Sequence, residues 1–174
     1  MSTLTWQKQG DEYTYEIRGI NHVEFQFLLA SLPEKPRIES ADDLLIFIKD
    51  NAKKLKLSEH VSFIIKKNDK EHNGPHGEPA YREYNSETWV IIRVDYHEGG
   101  ERVNGPDEAA IMHFDPRTGL LGKALFVKDG SIARGTYPNR RDNEWTREQI
   151  AAYNAPRIVK QINVPEGVNL KLDI

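Results

Sequence analysis

The 174-residue chain contains no cysteine, which excludes disulfides, thiolate zinc sites and cysteine nucleophiles together. Long apolar runs are missing too. The richest, "FLLA" (27–30) and "LLIFI" (44–48), fall far short of the roughly 20 residues a transmembrane helix needs. The polar N-terminus lacks the basic-then-apolar layout of a signal peptide. A cytoplasmic, non-membrane protein is expected.

Nor is there an excess of one charge. Residues 1–87 carry 12 basic and 15 acidic side chains and residues 88–174 carry 12 of each, for a net charge of −3. Duplex-binding domains gain affinity by concentrating Lys and Arg against phosphates, so this balance argues against general nucleic-acid binding. No phosphate loop, dinucleotide fingerprint or Gly-x-Ser-x-Gly elbow occurs, and no cofactor is expected. Low-complexity linkers and repeats are likewise absent. The length suits a single domain over 1–174.

What is present reads as α+β. "LTWQKQ" and "EYTYEIRG" alternate polar and apolar residues around Gly10-Asp11, predicting a hairpin. Asn21 with Glu24, and Ser40 with Asp43, are cap patterns that each precede a helically spaced apolar stripe. "VSFIIKK" (61–67) predicts a strand. Residues 68–86 follow, polar and rich in Gly and Pro, and are read as a long loop. "ETWVIIRVDYHE", "AAIMHFD", "LGKALFVK" and "SIARGTY" predict a C-terminal β-meander. Thr146 caps a short helix that Pro156 should stop, and two strands around Pro165-Glu166-Gly167 should close the chain. The expected fold is one mainly antiparallel sheet with two to three helices packed on one face.

The chemistry-bearing residues concentrate in the meander. Side chains on a strand alternate faces, so Arg93, Asp95 and His97 should oppose Val94 and Tyr96, and His113 and Asp115 should oppose Met112 and Phe114. If the apolar sets share the core, Asp95, His97, His113 and Asp115 share the other face, with Lys128 or Arg134 in reach. Two imidazoles and two carboxylates could bind a metal that activates water, or act as general acid and base. The competing reading is the solvated side of an ordinary sheet, with Asp115 capping the N–H groups of its own turn. His72 and His76 in the polar loop are weak metal candidates without a third ligand at a familiar spacing. His22 and His60 read as structural.

Binding residues are also expected. Tyr81, Arg82 and Tyr84 belong to the types enriched at interface hot spots, and the adjacent Arg140 and Arg141 could grip a phosphate or carboxylate. The turn "FDPRTG" (114–119) is similar to one in ribonuclease colicin domains. The match covers six residues, those domains are markedly basic, and no residue role transfers. Two functions follow as expectations. The first is a non-catalytic protein-binding inhibitor of the immunity-protein or phage anti-defence type. The second is a metal-dependent or His-based hydrolase or nuclease using Asp95, His97, His113 and Asp115.

Overall fold

Local signals at Asn21 and Ser40 set the two N-terminal helices, and alternation sets most strands. The computed structural model describes residues 3–7, 10, 12–128 and 143–162, with side chains to 158. Its strands are β1 (Thr3–Trp6), β2 (Tyr13–Ile20), β3 (Leu57–Lys67), β4 (Lys70–Glu71) and β5 (Tyr81–Asn85). They continue with β6 (Ile91–Asp95), β7 (His97–Glu98), β8 (Glu101–Arg102), β9 (Ile111–Phe114) and β10 (Leu121–Leu125). The helices are α1 (His22–Ser31), α2 (Ala41–Asp50) and α3 (Arg147–Ile162). The sheet is antiparallel in the order β1-β2-β3-β5-β6-β9-β10, with β4 folded back on β3 and a separate β7–β8 hairpin. This is the α+β architecture that the sequence predicts.

Both caps form. The Asn21 side chain accepts from the N–H groups of Val23 and Glu24, and Ser40 Oγ accepts from Asp43 N–H. Glu24 does not close the capping box reciprocally. Its Oε2 instead accepts from Lys56 N–H at 2.6 Å and ties α1 to the start of β3.

The helices bury Phe25, Leu28, Leu44 and Ile48 against Leu4, Ile17, Val61, Phe63 and Tyr84 of the sheet. A second cluster, Val94, Met112, Leu121 and Ala124, is covered by Trp145, Ile150 and Tyr153 at the α3 end. All these sheet residues alternate onto one face, and the other face carries mostly polar side chains, with Ile64, Ile111 and Leu125 set among them.

Three expectations are corrected. The loop read over 68–86 contains two strands, and Tyr81–Asn85 is a central one between β3 and β6. Pairing on both edges outweighs its Glu and Asn content, and the true connection shrinks to residues 72–80. The strand read over Glu87–Glu98 is divided. Asn85 Oδ1 caps a turn by accepting from Glu87 and Thr88 N–H, and Gly99-Gly100 (φ 59° and 89°) reverses the chain between β7 and β8.

Pro156 lies inside α3 rather than ending it. Proline removes one backbone hydrogen bond, but the helix is anchored in the turns just before it. Ile150 and Tyr153 pack in the second cluster, and Asn154 bonds the Leu121 backbone through both amide atoms at 2.8 and 2.9 Å. Residues 157–162, read as strand, are therefore helix. "SIARGTY" and the closing strand after Pro165-Glu166-Gly167 lie outside the described residues.

Arg82 sits in the core row between the two apolar clusters, only 8% exposed. Its Nη1 donates to Asp42 of α2 at 2.9 Å, while Nε and Nη2 make no hydrogen bond. A buried cation with one partner is expected to be neutral or worse for stability, whereas stripping its partner is costly. Arg82→Met should therefore leave the urea midpoint unchanged or raise it. Asp42→Ala should lower stability by about 1–3 kcal/mol in the same melts.

Candidate functional site

Register decides which polar residues meet. Across the face opposite the described helices the direct cross-strand partners run Thr3, Arg18, Ser62, Glu83, Arg93, His113, Lys123. Neighbouring strands lie about 4.8 Å apart, so this is one continuous row over seven strands. Beside it runs a second row, Thr5, Glu16, Ile64, Tyr81, Asp95, Ile111, Leu125. A bulge opposite Glu83 and Tyr84 lets Ile91, rather than Ile92, join the core side with Val94.

Every carboxylate of the two rows is held by a neighbour. Glu16 accepts from Lys66 Nζ at 2.6 Å and from Arg18 Nε at 2.9 Å. Glu83 accepts from the Tyr81 hydroxyl at 2.8 Å and lies 2.9 Å from His60 Nδ1, and Tyr81 also meets Ser62 Oγ at 3.1 Å. Asp95 takes Arg93 in a two-pronged pair at 2.7 and 2.6 Å, and the guanidinium also lies over the Tyr81 ring at 5.4 Å. Burial raises the Asp95 carboxyl, but His97, Arg93 and Arg102 outweigh it and hold the group below its ordinary value. His113 is held below the ordinary imidazole value, first by burial and then by the charge of Arg93, with Lys123 adding to it.

Of the four residues read as a catalytic set, Asp95 and His113 share this face but stand in adjacent rows. Asp115 is turned to its own loop, where Oδ1 accepts from Arg117 and Thr118 N–H at 2.8 and 3.1 Å. Those bonds lower its pKa. His97 is buried under the hairpin that follows β6. Its backbone pairs with Asn73 (2.7 and 2.9 Å), and its ring lies between Glu71 Oε2, 3.3 Å from Nδ1, and Asp95 Oδ2, 4.0 Å from Nε2. Neither ring nitrogen reaches hydrogen-bond geometry. These contacts tie the hairpin to β4 and do not present His97 to a substrate.

The other candidates are dispersed. Tyr81 is half-buried on the face opposite the described helices, while Arg82 and Tyr84 point into the core. His72 bonds the Asn73 carbonyl and meets the Tyr13 ring edge-on at 6.1 Å. His76 lies exposed in a turn where its N–H donates to Glu78. Among the described residues, no three His, Asp or Glu side chains are grouped to hold a metal ion. Lys128 is exposed and lies outside both rows, and Arg134, Arg140 and Arg141 lie outside the described residues. Glu83, Ser62, His60 and Lys123 were missed as site residues. The alternation of "YREYN" was the available signal for Glu83, and nothing short of register identifies the others.

The lowered pKa values fix a sign. A carboxyl depressed in the folded state stabilises above its unfolded pKa, about 3.9 for Asp, and loses that contribution as pH falls through the folded value. Asp95→Asn should be less stable than wild type at neutral pH, and the two urea midpoints should converge below the folded pKa. A depressed imidazole has the same sign at higher pH, because the unfolded chain again takes up the proton first. Stability should fall from about pH 6.5 down to the folded His113 value. His113→Gln should flatten that slope, which urea melts across the interval can read directly.

No helix among the described residues is long and apolar enough to cross a membrane. No family model, no curated protein and no solved structure matches this chain.

Proposed function

We propose that the chain acts without catalysis, as a binding protein for another protein, through the sheet face opposite its described helices. The observation that carries this reading is the seven-residue row with its neighbours, in which each carboxylate is locked by a cation or hydroxyl of the same face. Groups fixed before binding lose little rotamer entropy on contact, and charges of both signs at fixed positions reward one complementary register of a partner. Tyr81 and Arg93 are anchor types for such an interface. An inhibitor of the immunity or anti-defence kind fits this mode of action.

A second reading has its own observation. Glu83, Arg93 and His113 stand side by side on adjacent strands and are a carboxylate, a guanidinium and an imidazole. Those groups are the parts of an acid–base site for a phosphodiester, and they replace the set read from sequence.

The test is capture from a lysate of the source cells, using wild type and a Glu83→Lys/Lys123→Glu variant with the same melting temperature. The expected result is a stoichiometric protein partner lost with the face variant and kept with Phe27→Ser on exposed α1. A partner indifferent to the face variant overturns the reading. Turnover of RNA or DNA by purified protein, abolished by His113→Ala without unfolding, would replace it with the second.

A further inference from the structure

Away from that sheet face, an open groove of about 660 Å³ runs between the turn after β8 and the start of α3. Its aromatic wall is Phe126, Trp145 and Tyr153, with the two larger rings meeting edge to face at 6.0 Å. Asp107 and Glu108 stand on the opposite wall. Among the described residues neither carboxylate has an ion-pair partner, and no Lys, Arg or His lines the groove.

Both walls are built rigidly. Asn104 clasps Val127 through its N–H (2.7 Å) and carbonyl (3.2 Å), and Gly105 N–H donates to Ala109. Gly105 lies against the Tyr96 ring so closely that a Cβ would fall 2.4 Å from it. Glu108 holds a left-handed backbone (φ 62°), a conformation that costs a non-glycine residue about 1–2 kcal/mol. On the helix side, Thr146 and Gln149 cap each other reciprocally and fix Trp145 beside them.

The lining narrows the ligand class. An anion would meet two carboxylates, and an uncharged apolar ligand would desolvate them without recompense. Two carboxylates and three rings do not make a site for a bare metal ion, which wants more oxygen ligands. An organic cation satisfies both walls, with its charge against the acids and its apolar surface on the ring faces. Tyr153 already accepts such a group on a ring: Arg157, which is not part of the lining, stacks at 3.7 Å and donates to its hydroxyl at 2.6 Å.

We propose that this groove binds an organic cation, a quaternary ammonium or guanidinium group, at Asp107, Glu108, Trp145 and Tyr153. The site is independent of the sheet face, so its failure leaves the binding reading above untouched.

The test follows the indole N–H resonance of Trp145, identified by its loss in Trp145→Phe, in wild-type protein titrated with choline and with arginine amide. Its uncharged isostere 3,3-dimethyl-1-butanol is titrated alongside choline. A saturable shift with either cation, at least tenfold weaker with the alcohol and in Asp107→Asn/Glu108→Gln, is the expected result. Both substitutions are at exposed positions, and the fold of that variant is checked by its unchanged amide spectrum elsewhere. Equal binding of cation and alcohol, no saturable shift with either cation, or full binding by the double variant overturns the proposal.

Discussion

Phe63, Ile64 and Ile65 are consecutive residues of β3, and all three are buried. Alternation sends Phe63 and Ile65 to the helix side and Ile64 to the other, so this strand is anchored on both faces. That double burial is the constraint on which the arrangement depends. A slip by one residue at β2 or β5 would drive Arg18 and Glu83 into the helix-side core and bring Ile17 and Tyr84 out. The ionic row is thus positioned by an apolar one. In the second row buried Ile64 lies on one side of Tyr81 and Asp95, and buried Ile111 and Leu125 lie on the other.

Charge on the helix side obeys the opposite logic. Arg82 interrupts the apolar row that runs Leu4, Ile17, Phe63, Val94, Met112 and Ala124, and it separates the two core clusters. Its one hydrogen bond reaches α2, so the cation helps to fix where the helix lies above the sheet without adding much net stability. Neutral Leu or Met would fill the same row. The cation therefore reads as a device of placement, with α1 and α2 on one side of it and α3 on the other.

Much of this was legible in the sequence, for reasons tied to particular residues. Asn21, Ser40 and Asp115 are short-range signals, each satisfied by N–H groups two or three residues away, so no tertiary knowledge was needed to read them. Alternation also placed Arg93, Asp95 and His113 on the face opposite Val94 and Met112. Register was not legible, because it is set between strands that are distant in the chain. Hence Glu83, which reaches Arg93 only through the pairing of β5 with β6, went unread, and Asp95 and His113 fell in different rows. The polar loop concealed β5 because Gly and Pro upstream outweighed five residues of alternation. Pro156 misled in the other direction: propensity is a local cost of about 3 kcal/mol, and the packing of Ile150, Tyr153 and Asn154 in the turns before it overcame that cost.

Asn154 carries the longest-range consequence of that packing. Its amide bonds both the N–H and the carbonyl of Leu121, acting as a short substitute for a partner strand on β10. Residues 143–145 continue the cover, with Phe126 N–H donating to the Asn143 carbonyl and Trp145 N–H to that of Ala124. An unpaired strand edge invites association with other chains, so this cover protects the sheet at its C-terminal side. The same contacts fix the start of α3 and therefore the orientation of Trp145 and Tyr153 on the groove. Edge protection and groove geometry are one structural feature, so a change that frees the edge of β10 also dismantles the aromatic wall.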